Sequence, residues 1–249
     1  SIMANEVAKA KETALSADVL DYILETAGEG ASFDSSEMQI PFIRVLQALS
    51  PQLNKKKPEH IEGAEQGDMF NTVTNQYWSG EEGIIVVPCY QSVKYLEFVP
   101  RDLGGGFKGE LPASKEILPN GNELVKSDQN FCLVLDEEGS YQPAVVDMKS
   151  TQLKVSRRWK TQIAMQKVND PKRGMITPAN FTTKWKLTTT EETNDQGSWN
   201  NYQVENQGFV SKEIMLAGKA FRESIMAGEV KATPEGTPTA PLKDDDIPF

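Results

Sequence analysis

The chain has 249 residues, 38% of them hydrophobic and 25% charged, with a formal net charge of -10 and a mean hydropathy of -0.48. These values describe a globular protein with room for one large or two small domains, and they leave no run near the ~18 apolar residues of a membrane span. No basic-then-apolar leader opens the chain, so a cytoplasmic location is expected.

Ser1-Ile2 ahead of Met3 reads as an appended remnant outside the fold. From Ala4 to Thr26 the pattern is helical: Ser16 is a capping residue, Asp18 lies in the first turn, Val19, Leu20, Ile23 and Leu24 form an apolar stripe, and Gly28 ends it. Residues 29–37 are a Gly/Ser-rich linker, so residues 1–37 form an N-terminal helix and tether. Ile40 to Gln47 reads as a first strand, with Pro41 tolerable near its start. A polar loop carrying Lys55-Lys56-Lys57 follows, then a short strand from Asp68 to Thr74. Gly83 to Tyr90 and Val93 to Val99 are expected to pair as a hairpin. Gly104-Gly105-Gly106 lies in a loop with no Lys-Ser/Thr pair in phosphate-cradle spacing.

Asn130 to Leu135 and Gln142 to Met148 form a second hairpin across Asp136-Glu137-Glu138-Gly139. Ser150 or Thr151 caps a helix running to about Val168, whose Val155, Trp159 and Ile163 make an apolar seam. Phe181 to Thr190 and Ser198 to Val204 form a third hairpin around Asn194-Asp195-Gln196-Gly197. Ser211 to Ala227 is an amphipathic helix with Ile214, Ala217, Phe221 and Ile225 on one side. Residues 229–249, punctuated by Pro234, Gly236, Pro238 and Pro241, have little to bury and are expected to be a disordered acidic tail. The fold class is mainly β with helical additions (α+β). Residues 38–228 are expected to form an OB-like Greek-key barrel carrying the N-terminal helix and an inserted basic helix.

Cys89 and Cys132 lie in apolar strand-like runs and read as reduced core thiols. With His60 as the sole histidine, no zinc-site spacing exists and no Ser-His-Asp or Cys-His system is supported. No cofactor and no catalytic role are expected.

The charge is segregated. Lys149 to Lys186 carries ten lysines and arginines against Asp170 alone, a local +9 that leaves -19 for the rest of the chain. Such a field inside an anionic envelope guides a polyanion to one place. Proteins that coat single strands combine cations for phosphates with flat rings for bases, and both occur here. The cationic candidates are Lys154, Arg157, Arg158, Lys160, Lys184 and Lys186. The stacking candidates are Trp185, Trp199 and Tyr202, with Tyr90, Tyr95 and Phe98 as further rings. Trp199 and Tyr202 lie near a polar hairpin tip and are expected to be exposed. Lys184 and Lys186 share one strand face while Trp185 takes the other, so core packing and stacking both stay open for Trp185, as they do for Trp159.

The last residues, Asp244-Asp245-Asp246-Ile247-Pro248-Phe249, offer three carboxylates, a rigid Ile-Pro turn, a terminal ring and the α-carboxylate, a set suited to a basic-rimmed apolar pocket on a partner. They resemble the C-terminal tip of bacterial single-stranded DNA-binding proteins. Ile40 to Gln47 with Ser50-Pro51-Gln52, and Ser150-Thr151-Gln152-Leu153-Lys154 through Arg157-Arg158-Trp159, resemble tailed-bacteriophage proteins of the single-stranded DNA-binding class. That resemblance implies an OB fold, sequence-independent binding of single-stranded DNA in the host cytoplasm, and recruitment of replication, recombination and repair proteins through the tip. Monomer and homo-oligomer both stay open. Two other readings compete. Asp147-Met148-Lys149, with Asp128 or Asp136 upstream, has the acid-x-lysine layout of a Mg²⁺-dependent nuclease. The basic segment also suits a virion or assembly protein that meets acidic neighbours.

Overall fold

The computed structural model describes residues 15–29, 39–111, 118–230 and 232. The tip from Asp244 to Phe249 and the first part of the expected N-terminal helix lie outside them. The architecture is α+β and mostly sheet. Its strands are β1 (Phe42–Val45), β2 (Met69–Asn71), β3 (Tyr77–Trp78), β4 (Ile84–Phe98), β5 (Phe107–Leu111), β6 (Glu123–Leu135), β7 (Tyr141–Lys149), β8 (Val168–Asp170), β9 (Gly174–Ile176), β10 (Thr183–Asn194) and β11 (Gly197–Phe209). The helices are α1 (Ala17–Glu25), α2 (Leu153–Ala164) and α3 (Lys212–Met226).

The main sheet runs in the order β11-β10-β4-β6-β7-β1-β2-β3, with β5 added to β4. All pairs are antiparallel except β1 with β7. The central strands read as nearly continuous apolar runs because both faces of the sheet are covered. One face holds Ile43, Val45, Val86, Cys132, Val134, Val146 and Met148 beneath Trp159 of α2. The other holds Phe42, Phe131 and Val145 beneath Ile225, and Val87, Cys89 and Leu133 beneath Ile214. The seam expected on the last helix is thus the face α3 buries, and Ser211 caps it by accepting the Ile214 N–H at 3.4 Å.

The sheet curls until its two ends meet. Gln47 Nε2 donates to the Asn200 carbonyl at 3.0 Å, and the Asn200 N–H donates back to Gln47 Oε1 at 2.8 Å. Tyr202 Oη donates to the Ile43 carbonyl at 3.2 Å, and the Thr189 N–H reaches the Gly80 carbonyl at 2.9 Å. These bonds tie β10 and β11 to the β1–β2–β3 end. The approach is close enough that a Cβ on Gly80 would stand 2.1 Å from the Gly67 carbonyl oxygen.

One expected hairpin is absent. Ile84 to Phe98 forms a single strand, β4, paired with β6 from Ile85 to Phe98. Gln91-Ser92 carries no turn chemistry, and the proline at 88 is absorbed by a register shift between Pro88 and Tyr90. Beyond that irregularity β4, β5 and the start of β6 form an extension around Leu96, Phe98, Phe107 and Val125. The other two hairpins are present and longer than expected. Helix α2 is shorter than expected and ends at Ala164, because residues 168–176 form the β8–β9 ribbon instead.

Replacing Gln47 by alanine strands the buried N–H and carbonyl of Asn200, each loss costing about 1–3 kcal/mol; urea unfolding should show a clearly lowered midpoint. Burial pushes the Cys89 thiol up to about 12 and the Cys132 thiol well above its ordinary value. Neither should form thiolate at pH 8, so a disulfide reagent should leave the native chain unmodified and titrate both thiols after unfolding.

Candidate nucleic-acid interface

Helix α2 is positioned by what it buries. Ser156 and Trp159 are its buried residues, and Val155 and Ile163 pack against the same core. Trp159 meets Trp185 edge-on at 6.4 Å and 64°. A carboxylate completes the docking. Asp128 of β6, with a side chain 4% exposed, accepts hydrogen bonds from Ser156 Oγ at 2.8 Å and Lys160 Nζ at 2.6 Å, and a third from Gln91. Ser156, Trp159 and Lys160 stand at i, i+3 and i+4, on one helix face. Arg157 and Arg158 do not share that face, and both are exposed.

Four of the six cations foreseen as one channel line two separate recesses. Lys154 and Arg158 line a groove of about 750 Å³ between α2 and the β10–β11 hairpin, beside Trp159, Tyr202, Glu192 and Glu205. Lys184 and Lys186 line another, of about 350 Å³, beside Glu82, Asp136 and Glu137. No lining residue is common to the two. Within the first groove, Lys154 Nζ bonds to Glu192 Oε2 at 2.6 Å. Lys160 is held by Asp128. The basic surface that faces outward is therefore the outer side of α2, with Arg157 and Arg158 at its centre.

The stacking rings need a similar correction. Trp185 is 1% exposed and lies in the core, its Nε1 donating to Thr183 Oγ1 at 3.2 Å. Trp199 and Tyr202, expected at an open hairpin tip, are 8% and 3% exposed. The curl of the sheet brings β11 back onto the β1 end, and the rings that a splayed hairpin would present to solvent are covered there. Tyr90 packs edge-on against Phe131 with Arg222 over its ring, and Phe98 is buried.

Residues not singled out as site candidates lie on the β8–β9 ribbon. Its turn presents Lys172 and Arg173, and Met175 follows, 62% exposed. The signal was Asp170-Pro171-Lys172-Arg173-Gly174, a turn sequence between two short runs. Asp170 Oδ1 accepts the N–H groups of Lys172 at 2.8 Å and Arg173 at 3.0 Å.

Asp147 lies 3.2 Å from Arg44 and 3.5 Å from Lys149, with its side chain 3% exposed. It pairs in register with Gln129, whereas Asp128 pairs with Met148, so the two acids face opposite sides of the sheet. Asp136 folds its own turn by accepting the N–H groups of Glu138 and Ser140. Among the described residues no three His, Cys, Asp or Glu side chains converge on one point, and no helix is long and apolar enough to cross a membrane. The acid-x-lysine triplet is thus part of a buried ion pair with Arg44.

The family model described as Pam3 phage gp34-like protein matches residues 10–231. No curated protein and no solved structure matches the chain.

Lys160→Ala removes one of the three donors to Asp128. With its side chain 36% exposed, solvent screening holds the expected loss to about 1–2 kcal/mol. Unfolding should register that loss while affinity for any polyanion stays within about twofold, the reverse of what a surface cation gives.

Proposed function

The chain belongs to the family of Pam3 phage gp34-like proteins, and from that premise we propose that it binds single-stranded DNA without regard to sequence, as a bacteriophage replication or recombination factor. The observation that carries this reading is the outward-facing Arg157–Arg158 pair on a helix whose other face is locked to the sheet. Rigid cations on a regular element offer phosphates a prearranged site, and the surrounding chain is strongly anionic, so polyanions are directed to this surface. Arg158 extends it into the groove beside the β10–β11 hairpin, where Lys154 is paired with Glu192.

We read the curled sheet as an OB-like barrel, a framework suited to strand binding. The rings buried in it do not stack on bases in this conformation, so phosphate contacts supply most of the affinity. Such binding is steeply salt-dependent, losing about 0.7 in log K per decade of salt for each phosphate neutralised on a single strand. The tip from Asp244 to Phe249 recruits replication, recombination or repair proteins through its acids and terminal ring.

Titration of fluorescent oligo(dT) at two salt concentrations tests the reading. The wild-type chain should bind single strands more tightly than duplex, and Arg157→Ala/Arg158→Ala should lower the salt slope by about 1.4. An unchanged slope would place the strand elsewhere. Absence of binding, with oligomers forming in its place, would make this an assembly protein. Removing residues 244–249 should leave oligo(dT) affinity equal or higher while abolishing co-purification with replication proteins.

A further inference from the structure

We infer that the β8–β9 ribbon is a second contact for the single strand, with Lys172 and Arg173 on phosphates and Met175 against a base. The inference rests on the single-strand reading and adds to it a place where bases, not only phosphates, are touched.

The ribbon stands apart from the main sheet as its own two-stranded sheet. Strands of three residues, with pairs Val168↔Ile176, Asn169↔Met175 and Asp170↔Gly174, bury little and are marginal by themselves. Local chemistry nevertheless sets its shape. The Asp170 carboxylate takes the two N–H groups of the turn, Gly174 supplies the positive φ of +78° that closes it, and Lys167 Nζ bonds to Thr177 Oγ1 at 2.6 Å across the base.

The result is a formed turn that projects two cations. Arg173 has a side chain 79% exposed and lies 4.0 Å from Asp170, the outer limit of an ion pair, so its guanidinium is available to a phosphate. Apolar side chains accompany these charges: Met175 is 62% exposed and Ile176 41%, with Met165 at 72% where α2 ends. Asn169 shares the Met175 face because the two residues pair across the ribbon.

A cationic tip alone would fit any polyanion. The thioether beside it narrows the class. Unbranched and polarizable, methionine adapts to flat surfaces, and apolar side chains that project from DNA-binding elements pack against or between bases. A single strand offers phosphate and an unstacked base face within one nucleotide, and the ribbon places Arg173 and Met175 two residues apart in the chain, both exposed. The ribbon also follows α2 directly in the chain.

The test uses the full chain and two fluorescent probes of equal length, oligo(dT) and an oligomer of abasic sites. Lys172→Ala/Arg173→Ala should weaken both by about three- to tenfold and lower the salt slope by about 1.4. Met175→Ala should weaken oligo(dT) by about threefold and leave the abasic probe unchanged, since only bases supply a face to pack on. Because these side chains lie on a separate, exposed ribbon, unfolding midpoints should match wild type. If wild type binds in an Arg157/Arg158-dependent way and the ribbon variants bind equally well, the ribbon contact is overturned while the single-strand reading stands. If Met175→Ala weakens both probes alike, the base contact is overturned. If wild type binds neither probe, both readings fall.

Discussion

A buried carboxylate with too few donors is among the costliest groups a fold can hold, and Asp128 presents that problem in the middle of the sheet. Ser156 and Lys160 meet it from one face of α2, with Gln91 as the third donor. Satisfying Asp128 fixes the rotation of the helix about its own axis, and Trp159, between those two donors in sequence, is driven against Trp185. What remains on the outer side of α2 follows from helical geometry: Arg157 and Arg158 point to solvent. The exposed cationic surface is therefore a consequence of an internal polar contact, and the helix keeps it rigid.

The second constraint is the meeting of the sheet's two ends. The reciprocal Gln47–Asn200 pair joins residues 153 apart in the chain, and Tyr202 reaches Ile43 across the same seam. These contacts hold the two ends together without a strand ladder between them. They also decide the fate of the aromatic residues. Rings that alternate with cations in sequence end up on the covered side, and the cations around them separate into two recesses with acidic partners. A chain that binds strands through this surface relies on phosphate contacts and on exposed thioethers more than on tryptophan stacking.

Local patterns in the sequence carried much of this architecture. The β6–β7 and β10–β11 hairpins are legible from turn residues between apolar runs, as are the seam of α3, the basic face of α2 and the buried state of both cysteines. Long-range pairing was not legible. Nothing near Lys160 announces Asp128, 32 residues earlier, nor does anything near Lys154 announce Glu192, 38 residues later; two of the foreseen phosphate contacts are held by carboxylates for that reason. The unbroken length of β4 escaped because its pairing with β6 overrides the modest signal of Pro88 and the polar residues after it. The β8–β9 ribbon escaped because three-residue strands leave almost no period to detect, although the Asp-Pro-Lys-Arg-Gly turn was present.

On the proposed reading, the outward face of α2 receives a polynucleotide because its inward face is committed to Asp128 and Trp185. Chemical footprinting with phenylglyoxal, which modifies accessible guanidinium groups, tests this most directly. In the free chain Arg157 and Arg158 should be modified and buried Arg44 spared; saturating oligo(dT) should protect Arg157 and Arg158. Equal modification of both arginines with and without the oligonucleotide would contradict the account.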